Sequence, residues 1–474
     1  MDALDAVQTP LALSRNLSFR GRPQSYAEWK AGEQTRREPG SPGAKSRPGL
    51  VEYATLELRV HPPEVSVDNH SDDKFTVITV DSANKPGTLL EVVSRLTDLN
   101  LNTSKAYISS DGGWFVDVFH VTDASGQKIQ DKKTLDSVRN MLAIDAQDQS
   151  PAEEEPTAEM VSVVECWGDT DRVGLLSGIT SLLAKNDMDL KNALVWTHGS
   201  RFALLFALAQ TVKTKADAQR LKEYLVTGMT ALGEGREEKV SFEVLTHVVE
   251  NHLERRLHRM MMIDGPIPDL SDETGITVNL DACVDSGYTV IRIQSKDRPR
   301  LMFDTVCTLA EIWVDVHHGS VDCTLQNGVA VQEYYVRHVN GEEITNKLHL
   351  ETLRSYLKSA IVRRNPKGLK VQVACQDRVG LLADMSLALA EAGLNVTLVQ
   401  ASREGHAGSN ASEIFHVMGS NGTPANRDVV EHCCKKIGGT MVEDTEAFDS
   451  KIENRKSGGF GYKLIDTMNA RWGF

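Results

Sequence analysis

The chain has little that marks secreted, membrane-spanning, metal-dependent or catalytic proteins. Only seven of its 474 residues are cysteine (Cys166, Cys283, Cys307, Cys323, Cys375, Cys433 and Cys434), and no two form a C-x-x-C pair. With no secretory signal either, neither a disulfide framework nor a zinc site is expected, and the thiols fit a reducing compartment, the cytosol or else the nucleus. The longest apolar run, Phe202 to Ala209, is far shorter than the roughly 20 residues that span a bilayer, so no membrane partner is expected. Basic charge is in deficit: 52 Lys and Arg stand against 66 Asp and Glu, for a net charge of -14. That excludes a general nucleic-acid surface, which needs a basic face. Motifs of catalysis are missing too. There is no G-x-x-x-x-G-K-[ST], H-E-x-x-H or G-x-S-x-G, and no complete G-x-G-x-x-G between a strand and a helix. His247, His252 and His258 fit no metal-ligand spacing, so the chain reads as a non-enzyme without cofactor or metal.

What is there is repetition. Cys375 to Leu382 reads CQDRVGLL and Asp171 to Leu176 reads DRVGLL, while Asp297 to Met302 (DRPRLM) and Asn84 to Leu89 (NKPGTL) are looser copies. Each follows a β-like run and precedes a helix-like run, so the chain reads as four copies of one unit, in keeping with the three or four domains its length implies. Unit one shows alternation over Phe75 to Asp81, then Leu89, Val92 and Leu96 at helical spacing, a hairpin over Asn102 to Val121, and a helix carrying Leu135, Val138 and Leu142. Unit two repeats this with helices bearing Leu176, Ile179 and Leu183, then Leu221 and Leu225. Unit three has Met302, Val306 and Leu309, then Leu350, Leu353 and Leu357. In unit four Leu382, Met385 and Leu389 are followed by a hairpin looping over Ser402 to Ser412 and a helix with Val430, Cys433 and Ile437, which makes Cys433 a packing residue.

The expected boundaries are a disordered arm over 1–50, units at 63–146, 160–246, 273–364 and 367–446, a connecting helix within 247–272, and a tail over 447–474. Within the arm, Leu13, Arg15 and Ser18 resemble a basophilic kinase site. The aromatic, Gly-rich tail can serve as a docking peptide or fold back. In the connector, Leu253, Leu257 and Met261 form an apolar stripe beside Arg255, Arg256 and Arg259, which reads as a packed helix in preference to an anion surface. Units one and three have a β-like segment ahead of their first strand (Glu64 to Asn69, Gly275 to Asp281). Units two and four instead have trailing strands (Val240 to Leu245, Thr440 to Glu443). The first and third units are therefore expected to take their fourth strand from the N-terminal side, giving a tandem of two similar pairs.

This β-α-β-β-α-β pattern with Asp-Arg-Val/Pro-Gly-Leu-Leu at its first turn resembles the ACT domain. Longer stretches resemble the plant ACT-domain repeat family: Val80 to Val93 (VDSANKPGTLLEVV), Thr97 to Asp123, Glu254 to His258 (ERRLH), Asp297 to Leu309 and Gln332 to His338 (QEYYVRH). The likeness runs from about Val51 to the C-terminus. A more distant likeness is to the C-terminal ACT pair of bacterial uridylyltransferase nitrogen sensors. The resemblance implies an α+β fold of tandem ferredoxin-like sandwiches arranged as two pairs. It also implies amino-acid binding where one unit's turn meets its neighbour's edge strand, and no catalytic domain.

The chemistry of the turn suits such a ligand. The start of a helix offers N–H groups and a dipole to a carboxylate, an aspartate offers a partner to an ammonium, and glycine leaves the backbone open. The candidate ligand-binding residues are Asp171, Arg172 and Gly174 of unit two with Asp377, Arg378 and Gly380 of unit four; Asp171 and Asp377 can equally be helix N-caps. Asn84 and Gly87, and Asp297 and Arg298, rank behind them. Asn84 and Lys85 remove the anionic partner in unit one, and Arg300 stands where glycine is expected in unit three. The expected function is a non-catalytic sensor of a free amino acid, glutamine being the first candidate, acting through a homo-oligomer or a regulated protein partner. The alternative is a scaffold whose ACT units only dimerise.

Overall fold

In the computed structural model of the protein, the described residues are 64–84, 87–111, 114–142, 160–232, 240–249, 252–263, 265–267, 275–283, 287–325, 328–364, 368–376, 378, 380–402, 410–420 and 422–442. The arm with Ser18, the acidic, Pro-containing stretch Asp145 to Glu159 that reads as a linker, and the aromatic tail lie outside them.

Four units follow one another. Unit one has β1 (Glu64–Asp68), β2 (Thr76–Ala83), α1 (Thr88–Asp98), β3 (Asn102–Asp111), β4 (Trp114–Thr122) and α2 (Lys132–Leu142). Unit two has β5 (Met160–Gly168), α3 (Leu175–Lys185), β6 (Leu190–His198), β7 (Arg201–Leu208), α4 (Lys215–Leu232) and β8 (Val240–Val249). The connecting helix α5 covers Leu253–Met261. Unit three has β9 (Thr277–Cys283), β10 (Tyr288–Lys296), α6 (Leu301–Glu311), β11 (Val314–Asp322), β12 (Val329–His338) and α7 (Lys347–Arg363). Unit four has β13 (Leu369–Gln376), α8 (Leu381–Glu391), β14 (Leu394–Ser402), β15 (Asn410–Gly419), α9 (Arg427–Lys436) and β16 (Thr440–Val442).

The periodicities in the sequence become buried faces. Ile78 and Val80 of β2 point into the core while their neighbours lie half-buried, and Val92 and Leu96, Ile179 and Leu183, Val306 and Leu309, and Met385 and Leu389 are all buried on their helices. Cys433 is buried among them. Two readings need adjustment. Strand β8 runs to Val249, past the Thr246 boundary, and β15 begins at Asn410, inside the stretch read as a loop.

The strands form two eight-stranded sheets, β1-β2-β4-β3-β11-β12-β10-β9 and β16-β13-β15-β14-β6-β7-β5-β8. Unit one is thus joined to unit three, and unit two to unit four, so the pairs interleave along the chain. The edge beside the first strand of units two and four is the trailing strand β8 or β16. In units one and three it is the leading strand β1 or β9, in the same antiparallel position. The joints are equivalent: Ser320 faces Tyr107 where β11 meets β3, and Gln400 faces Leu194 where β14 meets β6.

A β-bulge precedes each joint strand's crossing to its neighbour, between Thr103 and Lys105, Leu190 and Asn192, Val316 and His318, and Val396 and Leu398. A bulge adds twist and re-aims a strand, which suits a strand that must serve two units at once. Helices cover one face of each sheet. The other face of the 2/4 sheet, built from Val161, Val163, Trp196, Ala203, Leu205 and Ala207, packs on Leu253, Leu257, Met260 and Met261 of α5. Through α5 this sheet rests on helices α1 and α6 of the other pair, and the Trp196 indole donates to the Arg363 carbonyl.

Candidate functional site

The four turns share one backbone solution. The residue before each helix is left-handed: Gly87 at φ 92°, Gly174 at 88°, Gly380 at 79° and Arg300 at 63°, none with a side-chain cap. A Cβ on Gly380 would meet nothing within 4 Å, so conformation and not space calls for glycine there. The capping alternative fails for Asp171. Its own N–H donates to the Ser200 carbonyl at 2.6 Å, and its carboxylate accepts from Asn395 Nδ2 of unit four at 2.8 Å and from the Thr197 hydroxyl. Burial raises its pKa, with these hydrogen bonds pulling the other way.

Two clefts flank the crossing of α3 and α8, where the Thr180 and Ser386 hydroxyls meet at 3.1 Å. One, of about 320 Å³ counting space open to solvent, is formed by Asp171, Arg172, Gly174, Thr197 and Leu204 of unit two with Ser386, Leu394 and Asn395 of unit four. The other, of about 470 Å³ on the same measure, is formed by Gly380, Leu381 and Ala383 of unit four with Thr180 and 188–193 of unit two. The clefts are counterparts: each joins one unit's turn to the start of its neighbour's second strand. Asp377 lies outside the described residues. Arg378 pairs with Asp384 at a half-exposed position.

The other pair treats its turns differently. In unit three the Asp297 N–H donates to the Gly328 carbonyl, and its carboxylate, its pKa raised by burial, accepts from the Cys323 thiol. Arg298 turns inward to Asp304 at 2.8 Å and to the Ile361 carbonyl, so it is spent on a buried ion pair. Arg300 reaches Glu254 on α5 and Asn100 of unit one. In unit one, Asn84 is half-buried and Gly87 exposed. Farther along α1, Glu91 and Asp98 both engage His252. Among the described residues no cluster of three or more His, Cys, Asp or Glu side chains is placed to hold a metal. No helix there is long and apolar enough to cross a membrane.

Residues 71–149 match the model of the ACR family N-terminal ACT domain. The ACT domain-containing protein ACR3 of Arabidopsis thaliana is 35% identical over 423 residues, covering 85% of this chain and 91% of that protein. The chain belongs to the ACR family of ACT domain-containing proteins. ACR4 of the same plant is 37% identical over 423 residues, covering 86% of this chain and 91% of that protein. The bifunctional uridylyltransferase/uridylyl-removing enzyme of Gluconobacter oxydans (strain 621H) is 42% identical over 81 residues, 17% of this chain and 8% of that enzyme.

Sequence reasoning missed several residues of this ACR protein that the fold brings to the turns. Asn395, Thr197, Ser386 and Glu254 come from strands and helices far along the chain. One signal was readable. Each unit has a left-handed residue after its first helix (Asn100, Asp187, Trp313, Gly393). Two positions on stands a side chain able to accept a hydrogen bond: Asn102, Asp189, Asp315 or Asn395. Asn395 reaches the turn of unit two.

Proposed function

We propose that this ACR protein is a non-catalytic regulator that binds a free amino acid in the two clefts between units two and four. The observation that carries the reading is the bond from Asn395 to Asp171: the turn's carboxylate faces the neighbouring unit and does not cap its own helix. A ligand ammonium would share or displace the Asn395 amide at Asp171, while its carboxylate would meet the start of α3, where the dipole is positive. A ligand so placed touches both units, and it shifts their arrangement only to the extent that it prefers one arrangement over another. The free thiols fit the cytosol or nucleus.

Isothermal titration with the standard amino acids, glutamine first, tests this. Heat is expected from at least one, reduced in Asp171→Ala; no heat with any of them overturns the reading. A second reading, a scaffold held together without ligand, is favoured by the same bond seen differently, since Asn395 and Thr197 already satisfy Asp171. On that reading Asp171→Ala loosens the joint between units two and four and no amino acid restores it.

A further inference from the structure

The ERRLH segment at the start of α5 takes no part in the two clefts, yet it carries a carboxylate more enclosed than Asp171. Glu254 is 6% exposed, and its two oxygens receive different arginines: Oε1 from Arg300, and Oε2 from Arg364 at 2.7 Å. Arg300 occupies the left-handed position that glycine holds in the other three turns, a strain that a guanidinium in the right place offsets. Beside it, Arg298 reaches Asp304 at 2.8 Å, and Arg364 Nε reaches the other Asp304 oxygen at 3.0 Å. Three arginines thus face two carboxylates. Among the described residues, Arg298 Nε and Arg364 Nη2 are buried without an acceptor. The cluster has donors to spare, and taking one carboxylate away would leave two buried positive charges uncompensated.

We infer that the turn of unit three is a carboxylate-binding site served in cis: Glu254 of α5 fills the place of a free carboxylate and thereby latches the 1/3 pair to the 2/4 pair. The rest of α5 makes the latch mechanical. Its apolar face, Leu257 and Met261 included, belongs to the sheet of units two and four, and Arg256 pairs with Glu165 on β5 at 2.8 Å. Its leading carboxylate belongs to unit three. The helix therefore holds its place only while both are engaged, and unit three carries a tethered carboxylate at its turn. This does not depend on any ligand in the clefts of units two and four.

Amide hydrogen exchange on the full chain, read by mass spectrometry, tests it. In Glu254→Ala, exchange over α5 should quicken by about tenfold or more, with β10 to β12 of unit three still protected. Sodium acetate should then restore protection, while sodium chloride at equal ionic strength should not. Unchanged exchange at α5, or rescue by chloride as good as by acetate, overturns the inference. If that variant does not fold, Glu254→Gln carries the exchange measurement, and α5 protected as in the native chain overturns it there. Arg300→Gly, which gives unit three the glycine of its siblings, should also loosen α5; a tightened α5 would count against the latch.

Discussion

Asp117 lies in the middle of β4 with 1% of its surface exposed, and among the described residues its carboxylate meets only the Ser109 N–H, at 3.3 Å. It occupies the position that Leu204 holds in unit two, since each stands two residues before a buried phenylalanine, Phe119 or Phe206, paired with Ala106 or Ala193. Burial raises its pKa from 3.8 to about 7. The folded chain keeps a proton that the unfolded chain releases, so the sign is fixed: stability is unaffected below pH 3.8, falls as pH rises through that window, and is lowest above 7. The full cost is up to about 4 kcal/mol. Asp117→Asn should therefore resist urea better than the native chain at pH 8, with the gain vanishing near pH 4. An equal urea midpoint at pH 8 would show that the carboxylate is not held this way. Glycines sort by a different rule. Gly380→Ala meets no atom and should cost only the left-handed strain, about 1–2 kcal/mol. Gly368→Ala would set a Cβ 2.3 Å from the Val417 carbonyl oxygen and should cost clearly more in the same urea assay. The turn glycines were visible in the sequence as a repeated letter. Asp117 was not, because a lone acid in an alternating strand reads as solvent-facing until its face is known.

Helix α5 shows where reading by periodicity stops. Its stripe of Leu253, Leu257 and Met261 was legible, and so was its character as a packed connector: Arg256 and Arg259 are spent on Glu165 and Glu311. Its partners were not legible, because they lie about 50 to 150 residues away on three different units and no local pattern names them. The bulges escaped for a related reason, since one extra residue in a strand leaves no trace in a period of two until the register is seen. Titration should report on α5 directly. Burial disfavours the His252 imidazolium, but hydrogen bonds and charge from Asp98 and Glu91 outweigh it and hold its pKa at about 9. The same contact, with Arg95, holds Glu91 down at about 2 against its burial. For a raised histidine the stabilisation is complete below its unfolded value near 6.5 and is lost as pH rises through 9. Against His252→Gln, the native chain should thus lose about 2–3 kcal/mol of advantage between pH 6 and pH 10. Unfolding curves at both values, corrected for the small shift of other groups common to both proteins, check it; a constant difference would refute the bridging role.

At the scale of the molecule, the repeat reading yields four units, the leading or trailing choice of edge strand and an expected tandem of two similar pairs. Consecutive units are the simpler guess for a tandem of pairs; the sheets instead join first to third and second to fourth. All four joint edges are open in their own unit, and what accompanies each joint is a helix pair: α1 packs on α6 where β3 meets β11, and α3 on α8 where β6 meets β14. Each joint is strand-to-strand and also apolar, as the shared clusters spanning Ile108 with Val321, and Val195 with Val399, show. A cut in the middle of the chain therefore divides both pairs at once. Residues 1–250 contain units one and two, which are not partners, and each would expose an unpaired joint edge, the kind of edge that promotes association. Expressed alone, either half is expected to aggregate or to form dimers through its own joint edges, unit one on unit one for the first half and unit three on unit three for the second. Co-expressed as 1–250 and 251–474, the halves should assemble into a heterodimer with the circular dichroism and thermal midpoint of a nicked native chain. A first half that runs as a monomer on size exclusion, unfolds cooperatively and ignores the second half would mean that consecutive units pair after all.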